Sequence, residues 1–205
     1  MGTRGLTVII KDKTIKLANY QQWDSYFDYT GVKFLEFCKK HLNTEQQIEK
    51  FKDNVDLLID VSKDEEYLKK VNDTLDYFRH SNKKYFLGIN EMFPQFSRDT
   101  GVKILDIINN LYSFEFNDKK YPIIIESDLG WIEYINVLDL DEEKVYMLRL
   151  GDNSLETNKI IKENYIDKGF ECYLSYKLSN IPSIKKATEQ YKLTLPQEDS
   201  EEIPF

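Results

Sequence analysis

The sequence predicts an α+β fold in which helices pack against a mainly antiparallel sheet. Short β-rich apolar runs occur in pairs joined by polar loops, once near the start of the chain and once in its second half. Between these pairs lie segments with a helical apolar period that follow helix-capping residues. With 205 residues, the chain is long enough to bury the core of one domain.

The first pair of predicted strands lies at the N-terminal end. Residues 6–10 and 14–20 are β-rich, and the polar residues 11–13 between them have the length of a hairpin loop. A polar and aromatic cluster follows at residues 22–26, and a first helix is expected to begin at Gly31. Such clusters are typical of residues that line a site.

Two amphipathic helices are predicted within residues 44–80. Residues 44–47 form a capping box, and the apolar residues after it lie on one stripe as far as Leu58. Residues 62–65 form a second capping box, with Ser62 as the cap, and another apolar stripe follows. We expect the two helices to form a helical hairpin, packed on the sheet or standing as a small lobe.

One short motif occurs twice, because residues 30–36 and 100–106 share the order Thr-Gly-Val-Lys-x-Leu-acid. The simpler interpretation is one helix-start sequence used twice, which we favour because the match is short. The alternative is a duplicated half of the protein, or two equivalent helix N-termini directed at one site.

The second half of the chain is predicted to add strands at residues 121–126, 131–140, 144–150 and 170–178. The middle two form a hairpin across an acidic loop. Helices are expected over residues 155–166 and after Pro182. We place one domain at residues 1–191 and a flexible acidic tail at 192–205, where periodicity is lost.

Composition excludes several classes of function. The net charge is −8, which gives the chain no overall attraction to phosphate backbones. No apolar run has the length of a membrane span, and the chain does not begin with a signal-peptide pattern. Cys38 and Cys172 are expected to be reduced and buried, as in a cytoplasmic protein. With only His41 and His80, neither a histidine-based metal centre nor a cofactor is expected.

Several blocks of the chain carry recognisable motifs: Met-Gly-Thr-Arg with a hairpin, aromatic-Asp-x-Tyr, Ser-Arg-Asp-x-Gly and Trp-x-x-Tyr-x-x-x-Leu-Asp. They lie at residues 1–6, 22–31, 97–105 and 131–141, with a late motif at 179–182. Together they resemble an uncharacterised family found in phage and bacterial genomes, over about residues 1–190. Here Phe27-Asp28 replaces the proline-containing segment usual in that family. The resemblance implies a phage origin and no established activity.

One functional hypothesis is an amidohydrolase of the N-terminal-nucleophile type, because a first strand, a hairpin and then a polar residue are similar to how those enzymes begin. Their first residue supplies both the nucleophile and the base. Gly2 follows Met1 and has no nucleophilic side chain, so a further cleavage would be needed. The enzyme would use Thr3, Arg4, Asn19 and Asp24. A pocket formed by Arg4, Trp23, Asp24, Tyr26, Arg98 and Asp99 would favour this hypothesis.

The tail favours a different function. Its acidic and terminal residues are Glu198, Asp199, Glu201, Glu202, Ile203, Pro204 and Phe205. This order resembles the C-terminal tip of bacterial single-stranded-DNA-binding proteins. The ring of Phe205 suits an apolar pocket, its carboxylate suits a neighbouring cation, and the acids steer the tail to a basic rim. We therefore expect a non-enzymatic, phage-encoded protein whose tail binds host replication and repair proteins. The alternative is an ordinary solubilising tail.

A third hypothesis is that the body of the protein binds single-stranded DNA. The 14 Tyr and 12 Phe residues could provide stacking platforms for bases. However, the pattern of five closely spaced strands that makes an oligonucleotide-binding barrel is absent, because the predicted helices occupy the middle of the chain. We therefore rank DNA binding by the body below recruitment by the tail.

Overall fold

The computed structural model of the protein describes residues 2–80, 88–111 and 120–195, and it has the predicted α+β fold. In chain order, the strands in these ranges are β1 (Gly5–Lys11), β2 (Thr14–Gln21), β3 (Leu58–Asp60), β4 (Tyr121–Ile123), β5 (Tyr134–Asp139), β6 (Lys144–Leu150) and β7 (Phe170–Lys177). Five of them form a mixed sheet in the order β2-β1-β5-β6-β7, while β3 pairs with β4. Only β1 and β5 are parallel in the larger sheet, so the predicted mainly antiparallel sheet is confirmed.

Both predicted hairpins, β1–β2 and β5–β6, are present, and their loops contact each other. Asp12 and Lys13 in the first loop have φ values of 53° and 57°, which suit the type I′ turn of a two-residue hairpin loop. The carboxylate of Asp141 in the second loop accepts hydrogen bonds from both of their backbone N–H groups, at 2.9 and 2.7 Å. The second hairpin therefore stabilises the turn of the first.

The helices in the described ranges are α1 (Val32–His41), α2 (Glu45–Val55), α3 (Glu65–His80), α4 (Ile89–Met92), α5 (Ile104–Asn109), α6 (Lys159–Asn164) and α7 (Ile184–Thr194). Thr44 caps α2 as predicted, because its hydroxyl accepts a hydrogen bond from the Gln47 N–H at 3.3 Å. The predicted cap of α3 is wrong. Asp64 takes this position instead of Ser62, and its carboxylate accepts a hydrogen bond from the Tyr67 N–H at 2.8 Å.

A short strand separates the two helices that the sequence predicts as a helical hairpin over residues 44–80. Leu58 begins β3 and does not continue the apolar stripe of α2. β3 runs parallel to β4, which belongs to the second half of the chain. The hydrophobic periodicity of residues 44–80 did not reveal this strand, because its pairing partner is remote in the sequence.

The helix predicted over residues 155–166 is shorter than expected. Asn158 caps α6, since its side-chain oxygen accepts a hydrogen bond from the Ile161 N–H at 3.0 Å. Before this cap, the Leu155 N–H donates to the Cys172 carbonyl at 2.8 Å, so the chain runs beside β7 there. Competition from this contact with β7 explains why the helix starts late.

The last helix, α7, follows Pro182 as predicted and continues to Thr194, three residues into the predicted tail. Residues 196–205, which contain the acidic residues and Phe205, lie outside the described residues. In the part of the chain that is described, none of the helices combines the length and apolar character needed to cross a membrane.

Apolar side chains are packed on both faces of the larger sheet. On one face, Ile9 belongs to a core shared with α1, α2, α5 and α7. On the other face, Val8 packs in a second core with Ile161 of α6. Cys38 lies in the first core and Cys172 in the second. Burial raises the pKa of the Cys172 thiol to about 12 and also raises that of Cys38, so both are poor nucleophiles.

Candidate functional site

Residues 2–4 run between two loops at one end of the larger sheet. The Thr3 carbonyl accepts a hydrogen bond from the Ser25 N–H at 3.3 Å, and the Arg4 carbonyl accepts one from the Glu133 N–H at 3.0 Å. The loop after β2 and the loop before β5 are thereby held on either side of this segment. The structure thus brings together four of the six residues of the predicted pocket: Arg4, Trp23, Asp24 and Tyr26.

This end of the sheet exposes aromatic rings. The exposed fraction is 53% for Trp23 and 68% for Trp131, and Tyr26 and Tyr29 are also exposed. Gly2 lies against the indole of Trp23, and a Cβ at Gly2 would overlap that ring. We define the aromatic surface as Trp23, Tyr26, Tyr29 and Trp131. The four rings of this surface are exposed to solvent.

Arg98 and Asp99 are exposed and do not join the aromatic surface. The Arg98 carbonyl accepts a hydrogen bond from the Gln22 N–H at 3.0 Å. Arg98 also lines a cleft of about 150 Å³, which Asn19 lines as well. The Asp99 carboxylate accepts a hydrogen bond from the Asn90 amide at 3.2 Å beside a different cavity, of about 540 Å³. The six predicted pocket residues are therefore distributed over three places.

The four residues of the amidohydrolase hypothesis have the following positions. Thr3 and Arg4 are half-buried, and the backbone of each is bonded to a neighbouring loop. Asn19 is buried, and its amide donates to the Gly101 carbonyl at 3.3 Å. Asp24 is exposed with a positive φ of 53°, and its carbonyl accepts a hydrogen bond from the Thr30 hydroxyl at 2.6 Å.

Sequence reasoning missed a row of buried polar side chains under this end of the sheet. Asn19, Thr7 and Asn136 are cross-strand neighbours on β2, β1 and β5, and all three are buried. Among the described residues, the hydroxyls of Thr7 and Ser25 have no hydrogen-bond partner, although buried polar groups are normally paired. The signal was present in the sequence, because Thr7 and Asn136 interrupt otherwise apolar strands.

A second missed feature is a cavity of about 760 Å³ at the ends of β5, β6 and β7. The Arg149 guanidinium donates to the Glu171 carboxylate at 2.6 Å, and the Asn153 N–H donates to the same carboxylate at 2.8 Å. Arg149 also lies 5.1 Å from the ring centre of Tyr173 and donates to the Thr194 carbonyl. The volume is in the range of ligand sites, but these charged groups already bind one another.

Within residues 2–80, 88–111 and 120–195, no group of three His, Cys, Asp or Glu side chains has an arrangement that could hold a metal ion. No family model, curated protein or solved structure matches this chain. The functional assignment therefore depends on the chemistry of the residues themselves.

Proposed function

We propose that this chain is a non-enzymatic interaction protein whose C-terminal residues bind proteins that recognise the tip of bacterial single-stranded-DNA-binding proteins. The observation that carries the proposal is the order of the last eight residues, an acidic run followed by Ile203, Pro204 and Phe205. The resemblance of about residues 1–190 to an uncharacterised family found in phage and bacterial genomes supports a phage origin. An anti-defence or replication-takeover role follows as a hypothesis.

The physical chemistry of the segment suits a recruitment peptide. The ring of Phe205 can fill an apolar pocket while its carboxylate pairs with an Arg or Lys beside that pocket. Pro204 restricts the free chain and so lowers the entropy lost on binding. The acids at positions 198–202 favour approach to a basic rim, an effect that weakens as salt is raised.

The position of α7 is compatible with an accessible tail. The side chain of Leu193 is 87% exposed, and Leu195, the last described residue, is exposed as well. The described part of the chain therefore ends at the surface of the folded protein. Partners that bind the tip act in the bacterial cytoplasm, so we expect this protein there.

Competition for a tip-binding protein tests the proposal. A fluorescent peptide with the tip sequence is bound to a purified repair helicase, and the full chain is titrated in. We expect displacement by the full chain, at least tenfold weaker displacement after Phe205→Ala, and no change after Leu193→Ala, which alters an exposed apolar residue in α7. Equal displacement by the full chain and by a chain lacking residues 203–205 would contradict the proposal.

The mechanism also requires Phe205 to carry a free carboxylate. A chain extended by a short Gly-Ser sequence after Phe205 keeps the ring and the acids but moves the carboxylate away from the ring. We expect this extension to weaken displacement about as much as Phe205→Ala, because one charge-assisted hydrogen-bonding group is lost from the pocket. Undiminished competition by the extended chain would show that binding does not require the free carboxylate of Phe205.

Single-stranded DNA is a second candidate ligand, and the exposed rings of the aromatic surface favour it because bases stack on such rings. The acidic character of the chain opposes it, since phosphates would be repelled. Filter binding at low salt tests this candidate. Retention of labelled single strands by a chain lacking residues 203–205 would establish it independently of the tail.

A further inference from the structure

The aromatic surface is an unusual feature for a protein exterior. Trp23, Tyr26, Tyr29 and Trp131 are all exposed. Trp23 lies against Gly2 and Trp131 lies beside Arg4, and the two tyrosines follow Trp23 closely in the chain. Single exposed apolar side chains are common, but a group of large ones at one place marks an interaction site. Gly2 allows the indole of Trp23 to lie against the backbone, which leaves the opposite face of the ring open.

Two of these four rings already bind cations from within the chain. The Arg4 guanidinium carbon is 5.3 Å from the centre of the Trp131 ring, and the Lys33 ammonium is 3.5 Å from the centre of the Tyr29 ring. The faces of such rings attract cations because their π-electrons are negative. Among the described residues, Trp23 and Tyr26 have no such cationic neighbour, although they belong to the same surface.

The charged residues that lie next to Trp23 and Tyr26 in the sequence are acidic. Asp24 follows Trp23 directly, and Asp28 lies in the turn between Tyr26 and Tyr29. Both carboxylates are exposed, and neither forms an ion pair with a described residue. Open aromatic faces beside unpaired carboxylates are complementary to a guanidinium group and repel phosphate. A second copy of this acidic chain would also be repelled.

We propose that the aromatic surface binds a basic, arginine-bearing segment of a partner protein. An arginine of that segment stacks on Trp23 and Tyr26 and donates hydrogen bonds to the carboxylates of Asp24 and Asp28. Arginine fits better than lysine, because its planar fork can stack and bind carboxylates at the same time. This site belongs to the folded part of the protein and does not depend on the function of the tail.

Tryptophan fluorescence can report on this site in the full chain. The chain has two Trp residues, so Trp131→Phe leaves Trp23 as the single reporter. The probe is an acetylated and amidated hexa-arginine peptide, which we expect to quench Trp23 in a saturable way. Asp24→Asn combined with Asp28→Asn should weaken binding about fivefold or more, from the loss of charge-assisted contacts. Asn tolerates the positive φ of position 24, so the fold should be kept.

A matched control separates this local site from general attraction to an acidic protein. Asp73→Asn with Asp106→Asn removes the same charge from exposed positions in α3 and α5, and we expect less than about a twofold change. Trp23→Ala, followed by calorimetry, should abolish the saturable phase. Equal weakening in the two double variants would overturn the proposal. Stronger quenching of Trp23 by oligothymidylate than by the peptide at the same salt would also overturn it, in favour of a nucleic acid.

Discussion

The two copies of the Thr-Gly-Val-Lys motif can be compared directly in the structure. We refer to residues 30–36 as the first repeat and residues 100–106 as the second repeat. In each, the threonine hydroxyl donates to a carbonyl six residues earlier, from Thr30 to Asp24 and from Thr100 to Pro94. In each, the two apolar residues after the lysine are fully buried, namely Phe34, Leu35, Ile104 and Leu105. The threonine hydroxyl and the two apolar side chains after the lysine therefore have the same roles twice.

Both repeats also contact the same residue of β2. The Gln21 amide nitrogen donates to the Thr30 hydroxyl at 2.7 Å, and the Gln21 amide lies so close to Gly101 that a Cβ there would overlap it. The two helix starts therefore lie on either side of one buried side chain. The less favoured interpretation of the motif, two equivalent helix N-termini directed at one site, stays a prediction.

The backbones of the two repeats nevertheless differ. Gly31 has a φ of −61° and leads into the ten residues of α1. Gly101 has a φ of +51° and begins a short 3₁₀ turn that leads into the six residues of α5. The same threonine contact and the same burial of two apolar residues thus occur with different backbone conformations. The surroundings of each glycine, not its neighbours in sequence, decide which conformation it adopts.

The largest difference in stability between the two repeats is expected when the glycine of each is replaced by alanine. Gly101→Ala introduces a Cβ at positive φ and displaces Gln21, so we expect a loss of about 2–4 kcal/mol in the free energy of unfolding. Gly31→Ala keeps an allowed φ, and its Cβ meets the flexible end of Met147 at 2.8 Å, so we expect a change within about 1 kcal/mol. Urea unfolding followed by circular dichroism measures both. Equal losses in the two variants would show that the different φ values of the two glycines do not affect the free energy of unfolding.

Removal of the threonine hydroxyls should have the next largest effect. Thr30→Val leaves the Asp24 carbonyl without its donor and removes one acceptor of Gln21 in a buried place, at a cost of about 1–3 kcal/mol. Thr100 is half-buried, so water can replace its hydroxyl, and Thr100→Val should cost about 0.5–1.5 kcal/mol. Thr30→Ser retains the hydroxyl and should recover most of the loss. If Thr30→Ser does not recover the stability, the loss in Thr30→Val comes from altered packing and not from the missing hydroxyl.

The stability of the protein at alkaline pH should depend on the ionisation of two buried tyrosines that lie beside the repeats. The Tyr191 ring stacks on Phe27 at 4.4 Å, before the first repeat, and the Tyr121 hydroxyl donates to Gln95 at 3.2 Å, before the second. Burial raises the pKa of each tyrosine to about 12. Between about pH 10 and 12 the folded state keeps protons that the unfolded state loses, so stability falls as the pH rises.

The variants Tyr191→Phe and Tyr121→Phe should each reduce this slope by at most about 1.4 kcal/mol per pH unit, the value for one proton. Urea unfolding across this alkaline range measures the slope, and tyrosinate absorbance reports ionisation. Tyr77→Phe changes an exposed ring (66% exposed) and should leave the slope unchanged. A slope that is unchanged in both test variants would place the linked protons on other groups.

The smallest difference in stability between the two repeats is expected when their lysines are replaced. Lys33 lies over the Tyr29 ring, so Lys33→Gln should cost about 0.5–1 kcal/mol at this partly exposed site. Lys103, at the same position of the second repeat, is exposed, and Lys103→Gln should change stability by less than about 0.5 kcal/mol. Thermal unfolding of the two variants in parallel is sufficient to compare them. A larger loss at Lys103 would reverse the comparison.

The sequence alone determined the elements whose stabilising contacts are local. The hairpins β1–β2 and β5–β6 were predicted because turn residues and flanking β-rich runs are adjacent in the chain. The start of α2 was predicted because Thr44 and Gln47 are three residues apart. In the candidate site, Trp23, Asp24 and Tyr26 share one loop because they lie within a few residues of each other, while the pocket predicted from them and Arg4 stays a prediction.

Only the tertiary structure decided the contacts that join remote segments. These are the parallel pairing of β1 with β5, the short β3–β4 sheet, the Arg149–Glu171 pair and the meeting of both repeats at Gln21. The need for glycine at position 101 belongs to the same group, because the Gln21 side chain occupies the place that a Cβ would take. Hydrophobic periodicity and capping residues reflect interactions between residues that are close in the sequence. The contacts between remote segments depend on partners that only folding brings together.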